Sequence, residues 1–125
     1  MVVDASMIAA IIFAEPEAAI ARQMVSGAEL QAPALLHFEL TNIARSKATS
    51  LPGRLPQLAM ELQVGLDMGI RLHQVSFRDV LDLAVETRLT AYDASYLHLA
   101  QILGEPLATF DRALRTAAQG RVALA

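Results

Sequence analysis

The sequence predicts an α/β protein: a three-layer α/β/α sandwich around a central, mainly parallel sheet. Short apolar runs suited to buried strands alternate with longer stretches whose apolar residues recur at helical spacing. Strands separated by helices pair in parallel through right-handed crossovers. Carboxylates also stand directly behind two of the runs, Asp4 after Met1-Val2-Val3 and Asp111 after Leu107 to Phe110. They would lie at the carboxyl edge, where sheets of this kind bind ligands.

In chain order, Val2 and Val3 start a strand that ends at Asp4, and a helix follows with Ile8, Ile11 and Ile12 on one face. Glu15-Pro16-Glu17 restarts a second helix, since proline and acids suit a first turn, and Gly27 closes it. Leu30 to Ala32 reads as a strand, and Pro33 as the start of a helix running to about Thr49. Leu51 to Pro56 reads as a loop, with two prolines and a glycine as breakers. A helix from Pro56 to Met68 leads to a strand at Leu72 to Val75. Ser76-x-x-Asp79 caps the helix Phe77 to Arg88. Thr90 starts another helix, which Gly104 stops. Pro106 to Phe110 is a strand, Arg112 to Gln119 a helix, and Val122 to Leu124 an added edge strand. Residues 1–125 read as one domain.

Composition narrows the function classes. Hydrophobic residues make up 54% and charged residues 18%, so part of the apolar surface is expected to meet a partner. The longest apolar run, Met7 to Ala14, is too short to span a bilayer. Only three residues precede Asp4, which leaves no room for a targeting peptide. With no cysteine to form a disulfide, the cytoplasm is the expected compartment. A net charge of −3 lacks the broad basic surface of a sequence-specific DNA binder. A nucleic-acid substrate would need bound cations and local basic residues: Arg45, Lys47, Arg54, Arg112 and Arg115.

Four acids carry the chemistry. Asp4, Asp93 and Asp111 can each be explained as helix caps or first-turn acids, Asp93 through the capping-box pattern Thr90-x-x-Asp93. Glu39 cannot, because Leu36, Glu39, Leu40 and Ile43 share one helical face, which aims a carboxylate at the core or its rim. A buried carboxylate needs a cation, a donor or a proton, and neither Arg45 nor Lys47 stands at i+3 or i+4 from it. One shared cation accounts for all four acids together. Carboxylates without cysteine, and with His37, His73 and His98 scattered, suit Mg²⁺ or Mn²⁺ over zinc. Ser6 and Thr109 would support the ligands, and Asn42 would donate to Glu39 or orient a water.

The segments VVDAS, FELTN, LTAYDASYLHLA and PLATFD together resemble a PIN domain, and more narrowly the VapC toxins of bacterial and archaeal toxin–antitoxin pairs. The resemblance covers nearly the whole chain. It carries the family's acidic positions onto Asp4, Glu39, Asp93 and Asp111, its asparagine onto Asn42, and its hydroxyl after the first aspartate onto Ser6. It implies a Mg²⁺- or Mn²⁺-dependent endoribonuclease that hydrolyses RNA phosphodiester bonds. Such a toxin is usually a homodimer, inhibited by a small cognate antitoxin whose C-terminal segment lies over the active site. Asp4 and Asp93 are the expected direct ligands, with Asp111 and Glu39 binding directly or through water. Leu58, Leu62 and Leu66 are a candidate groove wall for the antitoxin.

Three other classes fit the residues less well. A phosphatase of haloacid-dehalogenase type needs a second aspartate where Ser6 stands and a well-placed lysine, and Lys47 sits mid-helix. A receiver domain fails on the same placements. A non-catalytic binding module on this fold would have no use for Glu39 in an apolar face.

Overall fold

The computed structural model describes residues 1–125. In order it contains β1 (Val2–Val3), α1 (Ala5–Ile12), α2 (Ala18–Val25), β2 (Gln31–Pro33), α3 (Leu36–Ser50), a 3₁₀ turn (Pro52–Arg54) and α4 (Leu55–Leu66). Then follow β3 (Arg71–His73), α5 (Phe77–Thr87), α6 (Ala91–Leu103), β4 (Leu107–Ala108) and α7 (Arg112–Ala118). All strand pairs are parallel, in the order β3-β2-β1-β4. The α/β prediction is met: helices flank a wholly parallel sheet.

The strand order places the site. The chain moves outward from β1 to β2 to β3, then returns through α5 and α6 to lay β4 on the other side of β1. Between β1 and β4 the order reverses, which opens a crevice at their carboxyl ends. Val2 pairs with Leu107 and Val3 with Ala108, so Asp4 and the segment Thr109–Asp111 leave the sheet side by side.

The core lies where α6 crosses the sheet. This helix packs on β1, β2 and β4 as well as on α5 and α7, while α1 packs against α2, α3 and α4. Its buried residues, among them Tyr96, Leu97, Leu99 and Ala100, cover more than one stripe, as befits a helix covered on several sides. Thr90 caps α6 by accepting from the Asp93 amide at 3.1 Å, and Ser76 caps α5 by accepting from the Asp79 amide at 3.2 Å. Both caps fall where the sequence places them.

Several boundaries shift, three of them at a proline or a left-handed turn. Pro33 ends β2 instead of starting a helix. It lies beyond the single β1 pairing of this strand, Val2 with Gln31, so its missing N–H leaves no gap in that ladder. The expected loop Leu51–Pro56 is largely helical, because Pro52 and Pro56 occupy first turns, where no donor is needed. Arg88 lies just past α5 in the left-handed region, with φ of 62°. Past α7, the expected edge strand is a single parallel bridge from Leu107 to Leu124. No helix is long and apolar enough to cross a membrane.

Candidate carboxylate site at the β1–β4 crevice

Asp4 is almost fully buried, 4% exposed, and its carboxylate is committed to both neighbouring segments. Oδ1 accepts from the Ser6 hydroxyl at 2.6 Å and from the Met7 amide at 3.2 Å, which makes Asp4 the cap of α1. Oδ2 accepts from the Thr109 hydroxyl beyond β4. The cap reading and the site reading of Asp4 therefore hold together. A carboxylate offers about four lone-pair sites; three are used, and the fourth remains on Oδ2.

Ser6 and Thr109 link the two strand ends. The Phe110 amide donates to the Ser6 hydroxyl at 2.9 Å, and the Asp111 amide donates to the Thr109 hydroxyl at 2.9 Å. Both hydroxyls thus donate to Asp4 and accept from the segment beyond β4. Asp111 caps α7 by accepting from the Leu114 amide through Oδ1 at 2.8 Å, and Oδ2 has no bond within the chain.

Glu39 sits half-buried on α3 between buried Leu36 and Leu40, as its helical face dictates. Its partner is Tyr96 of α6, whose hydroxyl donates to Oε1 at 2.6 Å. Sequence reasoning missed Tyr96. The available signal was its position three residues after Asp93, which puts both on one face of α6. Asn42 does not reach Glu39: its Oδ1 accepts from Arg45 Nε at 2.9 Å, although Asn42 and Glu39 line one cleft. Asp93 stands in the first turn of α6.

Electrostatics ties the four acids together. Burial raises Asp4 above the usual aspartate range; Ser6, Thr109 and Met7 oppose the rise, and the charge of Asp111 adds to it. Burial also raises Glu39; Tyr96 opposes, while the charges of Asp93 and Asp4 add. Asp93 is raised by burial and by the charge of Asp111, against its bond with Thr90. Tyr96 is pushed far above the usual phenol value by burial and by Glu39, which keeps it a hydrogen-bond donor. Asp4, Glu39 and Asp93 each feel at least one other acid of the set.

The set fits a hard divalent cation. All its donors are carboxylate oxygens, they are partly desolvated, and their mutual repulsion is what a cation would relieve. No three acidic or histidine side chains are drawn together tightly enough to enclose an ion in this conformation. Mg²⁺ keeps several waters and needs only one or two direct carboxylates. Among the basic residues, Lys47 is held by Glu15 at 3.3 Å, Arg54 faces Glu61 at 3.8 Å, and Arg115 donates to the Thr109 carbonyl at 3.1 Å. Arg112 is exposed beside Asp111.

No match was found among curated proteins. Among solved structures, the chain resembles PAE2754 from Pyrobaculum aerophilum at 28% identity with a TM-score of 0.78, over 98% of this chain and 89% of that one. The sequence profile of the PIN domain matches residues 1–120. PIN domains are generally nucleases and typically use divalent metal ions. With its four acids at the switch point of a parallel sheet, the chain belongs to the PIN domain family.

Proposed function

We propose that this PIN domain is a Mg²⁺- or Mn²⁺-dependent endoribonuclease and acts as the toxin of a toxin–antitoxin pair. The observation that carries the nuclease reading is Asp4, buried, triply hydrogen-bonded and coupled to Asp111 beyond β4 and to Glu39 on α3, both of which in turn feel or act on Asp93 of α6. A module without chemistry gains nothing from such a costly arrangement.

A bound divalent cation supplies Lewis acidity that acidifies a water and offsets charge on the scissile phosphate. Asp4, Asp93 and Asp111 would hold that cation, directly or through water. Glu39 is the base. Burial raises its pKa, which strengthens it as a proton acceptor. Tyr96 fixes Oε1, while Oε2 takes no bond from the protein and is left to receive the proton of the attacking water.

The toxin role rests on the resemblance in the four motifs and on surface. Leu58 and Leu62 line an apolar cleft of about 360 Å³ between α3 and α4, which suits an antitoxin helix. Leu66 is not part of it. On α5, Phe77, Leu81 and Val85 form an exposed apolar stripe at i, i+4 and i+8, which we assign to a homodimer contact. The nuclease reading is tested by RNA cleavage with added Mn²⁺ and with EDTA. The toxin reading is tested by growth arrest on expression, relieved by the product of an adjacent small gene.

A further inference from the structure

Arg115 stands one helical turn from an acid of the site and does not pair with it. It follows Asp111 by four residues, with the acid first, which is the order that favours an ion pair. Elsewhere the chain forms such a pair even in the weaker order, Arg78 meeting Asp82 at 3.3 Å. Asp111 and Arg115 form none.

Arg115 turns back to the strand end instead. Half-buried, it donates through Nη1 to the Thr109 carbonyl at 3.1 Å, and that carbonyl accepts no other hydrogen bond. Thr109 is fully buried, so without Arg115 its carbonyl would be left unpaired, a state folded chains avoid. The segment anchored in this way joins the acids. The Thr109 hydroxyl donates to Asp4 and accepts from the Asp111 amide, while the Phe110 amide donates to Ser6, which itself donates to Asp4. Those bonds fasten the segment to the β1 end, and Arg115 fastens it to the body of α7.

The absence of an ion pair matters as much as the bond. A guanidinium on Asp111 would take up lone pairs and cancel charge that a cation needs. As folded, Asp111 Oδ2 has no bond within the chain, and the charge of Asp111 is felt at Asp4 and Asp93.

We propose that Arg115 is a positioning residue: through the Thr109 carbonyl it holds the β4 end against Asp4 and leaves the Asp111 carboxylate free for a divalent cation. The proposal rests on the reading of the four acids as a cation site. It predicts a sign opposite to that of charge alone. Deleting a positive charge one turn from the acids should by itself tighten cation binding. Deleting a support of metal ligands should weaken it, typically by about 10–100-fold.

Mn²⁺ titration by calorimetry, without RNA and on variants shown to be folded by thermal melts, separates the two. Arg115→Ala should weaken Mn²⁺ binding about tenfold or more, and Arg115→Lys, which keeps the charge and a donor, should recover part of the loss. Arg78→Ala, which removes an exposed arginine on α5, should bind as the wild type does. In a Thr109→Val background the hydroxyl link to Asp4 is already gone, so Arg115→Ala should add little, because both changes break one chain of contacts. In RNA cleavage, Arg115→Ala should need more Mn²⁺ for half its maximal rate and approach the wild-type kcat at saturation. Unchanged or tighter Mn²⁺ binding by Arg115→Ala would overturn the proposal, as would a full loss on top of Thr109→Val. So would a kcat deficit that persists at saturating Mn²⁺, which would put Arg115 on the substrate phosphate. In each of these cases Mn²⁺ binding by the wild type leaves the cation site standing, whereas a wild type that binds no Mn²⁺ removes both.

Discussion

Thr109 and Tyr96 hold the reactive acids, and substitutions there separate geometry from charge. Thr109→Ala strips the donor from Asp4 Oδ2 and the acceptor from the Asp111 amide. Loss of such supporting bonds is expected to cost about 10–100-fold in Mn²⁺ affinity and about 1–3 kcal/mol of stability, read by titration calorimetry and thermal melts. Asp4→Asn should be gentler on the fold, since asparagine caps a helix as well as aspartate. For Glu39 the sign follows from its raised pKa. A carboxyl whose folded pKa exceeds its unfolded value favours the fold when protonated. Its contribution is greatest below the ordinary value of 4.5 and is lost as pH rises through the folded value. Glu39→Gln in metal-free buffer should therefore gain melting temperature relative to wild type on moving from about pH 5 to about pH 8. A relative loss over that interval would mean that the charged carboxylate is stabilising where it sits.

Helix ends show how much local structure the residues announce. Ser76, Thr90, Asp4 and Asp111 all cap the helices that follow them, because a short polar side chain before an apolar run satisfies a free amide of the first turn. Proline is less legible, since Pro33, Pro52 and Pro56 satisfy the same local rules in a strand end, a loop or a first turn. Only tertiary pairing decides among these. Two left-handed positions, at the ends of α5 and α6, give contrasting predictions. Gly104 closes α6 at φ of 64°, and Gly104→Ala should cost about 1 kcal/mol, or about 4 °C. Arg88, exposed at φ of 62°, should tolerate Arg88→Gly with little loss or a small gain, because the strain removed offsets the added freedom of the unfolded chain. Melts of the two variants side by side check both.

At the scale of the molecule, the sheet order decides which acids meet. The sequence placed Asp4 and Asp111 behind strands and Glu39 on an inward face, and it offered Ser6 and Thr109 as donors, which both bond Asp4. It could not show that Tyr96 bonds Glu39 across 57 residues, because no local pattern says which turn of α3 faces which turn of α6. Nor could it tell that Asn42 turns to Arg45 instead of Glu39. The exposed stripe on α5 belongs to this scale too. Leu81→Glu should convert a dimer to a monomer by light scattering without lowering the melting temperature of the monomer. Unchanged mass would place the contact elsewhere.

The central claim is that the four acids form one metal-dependent site that cuts RNA. Its most direct test is incubation of total RNA with the purified protein in Mn²⁺, beside the same protein in EDTA and beside Asp93→Asn in Mn²⁺. The acid site predicts cleavage by the wild type in Mn²⁺ alone, with Asp93→Asn folded and inert. Undiminished cleavage in EDTA, or by Asp93→Asn, would contradict it.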